Sequence, residues 1–351
     1  MSSQVTVFDK EGTPLADLDV DVFRSWVLNG YGEASFTIST RDNKCREEFL
    51  QYGNRLLVQH DKLPEWVGIM DTPRVWKYGS VECHALGAEV WFDWRLTHVH
   101  PMYDTLANVF RFIIDSSNSW GGSQMQHGII RSGGIATTAA LGGKASDHIM
   151  RLVDKYMVDW SVTPYLSGNK LFLRANMYGG SRGENTGLTL NNINSKNVEP
   201  TMTEDGAIYN HVFYYSEPGE GGGRKFGDAR DNVSVGKYDL RMIAEQGVGS
   251  YEEGLEFSAR MKLLDTKEPF IMVAPSALDV GETFRQLRLG NVIYWENDYT
   301  GFAGASVGSN STVRIVGMEY SETDKSVGLV VELLRRYYTR QEKINMALEG
   351  Q

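Results

Sequence analysis

Twice in this chain a Gly-Asn pair turns directly into a short apolar strand, at Gly53-Asn54-Arg55-Leu56-Leu57-Val58 and at Gly290-Asn291-Val292-Ile293-Tyr294-Trp295. Each copy continues through a loop to a returning strand, read at Val67-Gly68-Ile69-Met70-Asp71 in the first and at Val316-Gly317-Met318-Glu319-Tyr320 in the second. Each then has a turn and a last strand that opens with Ser-Val, at Ser80-Val81 and Ser326-Val327. Order and strand alternation agree together, which marks two versions of one unit rather than two unrelated meanders. The connecting loops differ in length, which surface loops tolerate. Two similar β modules packed side by side present nearly equivalent faces, so three such chains could close a ring with pseudo-sixfold symmetry.

Around the repeat, the pattern of elements sets the fold class. The first hundred residues read as short strands: Val5–Phe8, Val20–Leu28 ending at Asn29-Gly30, Glu33–Thr40, Arg55–His60, Glu65–Met70, Arg74–Lys77 and Val81–Leu86. Such a meander suits a small barrel, which removes exposed edges by closing on itself. Thr105–Ser116 then places Leu106, Val109, Phe110, Ile113 and Ile114 on one helical face. A second helix starts near Ser146, and Trp160–Leu166 with Leu171–Ala175 forms a hairpin around Ser167-Gly168-Asn169. Leu188–Leu190 is a short strand. Tyr209–Ser216 and Asn232–Lys237 read as strands, Tyr251–Leu264 as a helix, and Phe270–Ala274, Asn291–Trp295, Val313–Tyr320 and Val327–Leu334 as strands. Tyr337–Leu348 reads as a terminal helix that docks on its own body or on a neighbour.

The expected fold is therefore mainly β with α+β insertions: two similar small antiparallel β-barrel domains, an α+β domain and a helical insertion. The boundaries are 1–100 for the first barrel, 101–206 for the α+β domain, 207–237 with 281–336 for the second barrel, 238–280 for the helical insertion and 337–351 for the tail. A chain of 351 residues is too long for one ordinary core, which agrees with several domains.

Composition narrows the chemistry. The formal net charge is −10, whereas a protein built to grip nucleic acid is usually basic. An acidic lumen would let DNA pass without holding it. No apolar run reaches the roughly 20 residues of a membrane span, and the N-terminus lacks the pattern of a secretion signal. A cytoplasmic place of synthesis follows as an expectation. Cys45 and Cys83 are too few for a disulfide framework and read as reduced thiols.

Candidate chemical sites are weak. His98-x-His100 on a strand would put two imidazoles on one face, but no third ligand is evident. Gly219-Glu220-Gly221-Gly222-Gly223-Arg224-Lys225 lacks the Gly-Lys-Ser/Thr ending of a phosphate cradle and reads as a loop. Asp93, Asp104, Asp154 and Asp159 offer no way to choose a glycosidase pair. Trp66, Trp76, Trp91, Trp94, Trp120, Trp160 and Trp295 read mostly as core, with a few as interface anchors. Asn232-Val233-Ser234 and Asn310-Ser311-Thr312 match the glycosylation pattern, which means nothing without secretion. No catalytic, cofactor-binding or metal-binding residue is assigned, and no cofactor is expected.

The chain resembles the baseplate-hub, or tail-tip hub, family of tailed phages and related contractile injection machines. The resemblance is carried by Gly32-Glu33-Ala34-Ser35-Phe36-Thr37-Ile38, the first Gly-Asn strand, Trp66-Val67-Gly68-Ile69-Met70, Leu289-Gly290-Asn291-Val292 and Thr312–Asp324. It implies a structural subunit whose homotrimer forms a torus joining the tail tube, or distal tail protein, to tip, spike or fibre proteins. The torus would surround the channel for DNA and the tape-measure protein, in a virion assembled in the host cytoplasm. The rival readings are a tail-associated cell-wall hydrolase and a carbohydrate-binding receptor protein.

Overall fold

The structure is a computed structural model that describes residues 3–71, 74–98, 100–131, 135–140, 143–156, 158–179, 182–191, 193–196, 203–205, 208–218, 222–247, 252–267, 270–273, 275–295 and 311–333. The chain groups into two compact units, Met1–Pro200 with Ala274–Glu332, and Thr201–Val273 with Leu333–Gln351. The expected terminal helix at Tyr337–Leu348 lies outside the described residues.

The larger unit opens with β1 (Gln4–Phe8), β2 (Pro14–Leu18), β3 (Val22–Val27), β4 (Glu33–Ser39), a single helical turn α1 (Glu47–Leu50), β5 (Arg55–Gln59), β6 (Trp66–Met70), β7 (Val75–Lys77) and β8 (Ser80–Gly87). Alternation in β4 and β8 is a true record of burial. Ala34, Phe36 and Ile38 face inward, as do Val81, Cys83 and Ala85 across the pairing. A 3-10 turn at Ala88–Phe92 then buries Trp91 and Phe92 beneath an α+β insertion.

That insertion holds β9 (His100–Thr105), α2 (Leu106–Asn118), β10 (Met125–Arg131), β11 (Ile135–Ala140), α3 (Ala145–Tyr156), β12 (Asp159–Ser167) and β13 (Lys170–Tyr178). Thr105 caps α2 by accepting from Asn108 N, and all five residues of the expected apolar face are buried. The hairpin β12–β13 forms as expected, but β13 also pairs in parallel with β10, and β9 pairs with β11. One apolar core joins the insertion to Phe8, Leu57, Val67 and Ile69 of the first module. The chain continues through β14 (Asn185–Leu190) and β15 (Ser195–Lys196).

The second unit contains β16 (Thr203–Asp205), β17 (His211–Tyr215), β18 (Phe226–Arg230), α4 (Asn232–Tyr238), β19 (Met242–Gln246), α5 (Glu252–Thr266) and β20 (Phe270–Val273). In the 207–237 stretch β17 pairs with β18 on one side and β19 on the other and, among the described residues, neither β17 nor β18 pairs with a strand of 281–336. Helix α5 closes over them around Val212, Ala229, Ala259 and Leu263. Asn232–Lys237 is a helix and not the expected strand. The Asp231 carboxylate accepts from Ser234 N at 2.8 Å, an N-cap that turns the Val-Ser-Val alternation into a helical start.

The chain returns to the larger unit with β21 (Ser276–Leu278), α6 (Thr283–Gln286), β22 (Val292–Trp295), β23 (Ser311–Ser321) and β24 (Ser326–Leu333). Neighbouring strands run β15-β21-β24-β23-β3-β4-β8-β6-β5-β1-β2, with β14 beside β22 and β7 beside β8. The two modules thus have one strand order: β3-β4-β8-β6-β5-β1 in the first and β15-β21-β24-β23-β22-β14 in the second. The path is open, and no closed barrel is formed among the described residues. The expected closure is replaced by pairing between modules, which covers the β3 edge by another route.

The Gly-Asn repeat is a shared backbone device. In both copies a helical turn ends, glycine takes a left-handed φ (+83° at Gly53, +85° at Gly290), and a buried asparagine starts the strand. Asn54 Nδ2 donates to Glu48 O and Phe49 O, and Asn291 Nδ2 donates to Gln286 O, which satisfies helix-end carbonyls. Gly53 N donates to Met70 O and Met70 N to Asn54 O. Gly290 N donates to Ile315 O and Ile315 N to Asn291 O. These bonds align Met70 with Ile315, not with Glu319 as the sequence pairing of Gly68 with Gly317 has it. The returning strands are equivalent, but the glycines in them are not.

Gly53→Ala should cost about 1–2 kcal/mol, the strain of a left-handed alanine. Gly290→Ala should cost more, because a Cβ there would lie 1.7 Å from the Arg182 carbonyl oxygen and force backbone apart. Urea midpoints of the two variants check the order.

Candidate functional site: the junction of the two β modules

The modules meet where β3 pairs with the far half of β23, in the antiparallel register Val27 with Gly317 through Phe23 with Ser321. Arg24 projects from β3 and is fully buried. Its Nη1 donates to Ser3 Oγ at 2.7 Å and lies 3.7 Å from Glu322 Oε1. Its guanidinium sits over the Tyr320 ring at 4.9 Å and the Trp26 ring at 5.4 Å. Burial lowers the Arg24 pKa to about 10, with Glu322 opposing the shift. Burial and Glu322 raise Tyr320 to about 12. The junction is therefore a cation held between aromatic faces, with one carboxylate beside it.

Each module also grips the insertion through one buried arginine. Arg55 in the first pairs across the strands with Ile69, and its Nη1 donates to Leu171 O at 2.8 Å. In the second module the same cross-strand pair is Val292 with Arg314, so the cation has changed strands. Arg314 Nη2 forms an ion pair with Asp159, which also accepts from Asn29 Nδ2 and Arg182 N. Asn29 further accepts from Trp160 N at 2.9 Å. Asp159 thereby joins the β3–β4 turn, the insertion and the second module.

A cleft of about 70 Å³ opens beside this network, lined by Trp26, Trp66, Glu89, Pro164, Arg182 and Arg288 among others. Glu89 Oε1 accepts from Val162 N at 2.9 Å. Burial pushes its carboxyl up to about 7, and the Val162 bond opposes this.

Most residues singled out in the sequence have structural employment. His98 Nε2 is 2.7 Å from Ser119 Oγ, and its ring stacks on Trp120. His100 lies in β9. Among the described residues no group of three or more His, Cys, Asp or Glu is placed to hold a metal ion. Asp104 accepts from Thr105 N and Asn108 Nδ2 at the start of α2, which lowers its pKa. Asp93 ends the 3-10 turn, and Asp159 is held by Arg314. Asp154 lies in α3. Residues 219–221 of the glycine-rich segment, and Asn310, lie outside the described residues. Asn232-Val233-Ser234 opens α4. Cys45 and Cys83 are free thiols, and burial raises Cys83 to about 11. Trp66, Trp91 and Trp160 are core residues, whereas Trp76, Trp94 and Trp120 are exposed. No described helix is long and apolar enough to cross a membrane. Sequence reasoning missed Arg24, Arg55 and Arg314. The only available signal was a lone arginine at an inward position of an apolar strand.

No family model matches the sequence, and no curated protein matches it. Solved structures match the fold across nearly the whole chain. The chain is similar to prophage tail protein gp18 from Listeria monocytogenes EGD-e, with 13% identity, 99% of this chain and 100% of that one covered, and a TM-score of 0.58. It is similar to the 43 kDa tail protein of prophage MuSo2 from Shewanella oneidensis, with 11% identity, 94% and 98% covered, and a TM-score of 0.63. It is also similar to the tail protein from Neisseria meningitidis MC58, with 13% identity, 96% and 98% covered, and a TM-score of 0.59. The fold is that of phage tail proteins: mainly β, with helical insertions.

Arg314→Met should destabilise the protein by about 3–5 kcal/mol, because Asp159 would stay buried without its cation. Chemical denaturation reads this directly. Glu89 makes a second test. Its folded pKa is raised, so the folded state holds the proton more tightly than the unfolded chain does. That stability is fully present below about pH 4.5 and is lost as pH rises through about 7. Unfolding free energy should fall by roughly 1–3 kcal/mol over this window, and Glu89→Gln should flatten the slope.

Proposed function

We propose that this chain is a structural subunit of a phage tail, a baseplate or tail-tip hub protein whose three copies close a pseudo-sixfold ring. The observation that carries the reading is the internal equivalence. Two modules of one strand order, each built on the same helix–Gly–Asn–strand device, sit side by side in a chain with the fold of tail proteins. A body with two equivalent lobes can match a sixfold tube with three copies, which a single-module chain cannot do.

In this reading the work is done by geometry. The ring joins the tail tube, or a distal tail protein, to tip, spike or fibre proteins, and DNA and the tape-measure protein pass through its bore. A net charge of −10 suits a conduit that does not retain phosphate. The particle is a virion assembled in the host cytoplasm. In this reading catalysis plays no part: Asp159, a buried carboxylate, is committed to Arg314 rather than paired with another acid across a cleft.

Mass photometry of the purified protein at micromolar concentration should show three chains. Negative-stain images should show a threefold ring with six similar lobes around a hole. A strictly monomeric protein, together with assembled tails that lack such an annulus, would overturn the reading.

A further inference from the structure

The shared strand order leaves two edges over. β3 pairs with β4 on one side and with β23 on the other. Its counterpart β15 pairs with β21 and, among the described residues, with no strand on its outer side. The far half of β23 lies between β24 and β3. Its counterpart in the first module is β7, which follows β6 along the same side of β8 and pairs with β8 alone among the described residues.

Side chains on these edges match. Trp76 pairs with Val81, one step inside the tight turn that leads into β8. Tyr320 stands one step inside the turn that leads into β24. Tyr320 is 3% exposed: Arg24 of β3 stacks on its ring, and the His60 and Phe284 rings meet it edge-on. Trp76 is 64% exposed, Val75 is 45% exposed and Tyr78 at the hairpin tip is fully exposed. The first module thus displays, bare, the edge that in the second module is paired with β3. At the other loose edge, Ile193 stands just ahead of β15 and is 76% exposed. A strand edge carrying bare aromatic and aliphatic side chains is a template for pairing.

We propose that the outer edge of β7 binds the β15 edge of a second copy of this chain, repeating between chains the β3–β23 junction that each chain makes within itself. The inference rests on the ring reading. The contact is head-to-tail, with different surfaces on the two partners, so it propagates around a ring instead of ending at a pair. Each copy uses β7 toward one neighbour and β15 toward the other. Trp76 takes the buried place that Tyr320 holds inside the chain.

The test uses Trp76→Glu and Ile193→Glu in the full chain. Both side chains are exposed within one chain, so each variant should keep the parent's far-UV circular dichroism and a cooperative melt, at a lower midpoint because the contact between copies is lost. Val75→Lys replaces Trp76→Glu should that variant fail to fold. Each variant alone should sediment as one chain at concentrations where the parent sediments as three. An equimolar mixture should give a two-chain species, because the Trp76→Glu copy keeps its β15 edge and the Ile193→Glu copy keeps its β7 edge. A parent of three chains whose variants keep full size, or whose mixture stays monomeric, would sink the edge assignment and leave the ring reading standing. A monomeric parent would sink the ring reading, and this assignment with it.

Discussion

The pairing of β3 with β23 is the constraint on which the rest of the larger unit depends. Each module alone would end in an unpaired strand, with backbone donors and acceptors facing water and ready for any passing chain. Joined, the two edges satisfy each other over Phe23–Val27 and Gly317–Ser321. The joint also buries Arg24. A buried guanidinium is tolerated because Tyr320, Trp26, Ser3 and Glu322 surround it. The ionic group therefore belongs to the joint and not to either module.

Equivalence between the modules lies in the backbone more than in the side chains. Both use a left-handed glycine and a buried asparagine to turn from helix to strand. Yet the arginine that holds the insertion sits on β5 in one module and on β23 in the other, within the same cross-strand pair. The sixth strand of the shared order differs too, since β1 runs antiparallel to β5 whereas β14 runs parallel to β22. A fold can thus keep its hydrogen-bond skeleton while its polar anchors move to whichever strand faces the partner.

How much of this could be read from the sequence depends on what each residue has to signal. β4, β8, α2 and the β12–β13 hairpin were legible because apolar side chains alternate or recur at helical spacing and are buried where they do. β18 was not legible. Its inward positions are Gly227 and Ala229, kept small because helix α5 lies against them, so no apolar rhythm appears. β2 begins with proline, and β10 buries little besides Met125, so neither stands out. Asn232–Tyr238 misleads because a capping aspartate outweighs a β-like alternation. The Gly-Asn repeat was visible, but its register was not. Gly68 and Gly317 attract alignment as letters, while the hydrogen bonds count from Met70 and Ile315. The buried arginines stayed hidden because a charge in a strand normally marks the solvent face.

The β3–β23 joint also orders events on the ribosome. Gly317 lies 290 residues downstream of its partner Val27. At about 5–20 residues per second, the nascent chain waits on the order of 15–60 s before that partner emerges. Once β8 has emerged, the first module stands nearly complete with one flank bare for the rest of this interval. Polysomes place many such flanks close together, where a wrong partner is nearer than the right one. Synthesis of this protein therefore favours conditions that keep neighbouring nascent chains apart: sparse initiation, or a holdase that recognises a naked strand edge.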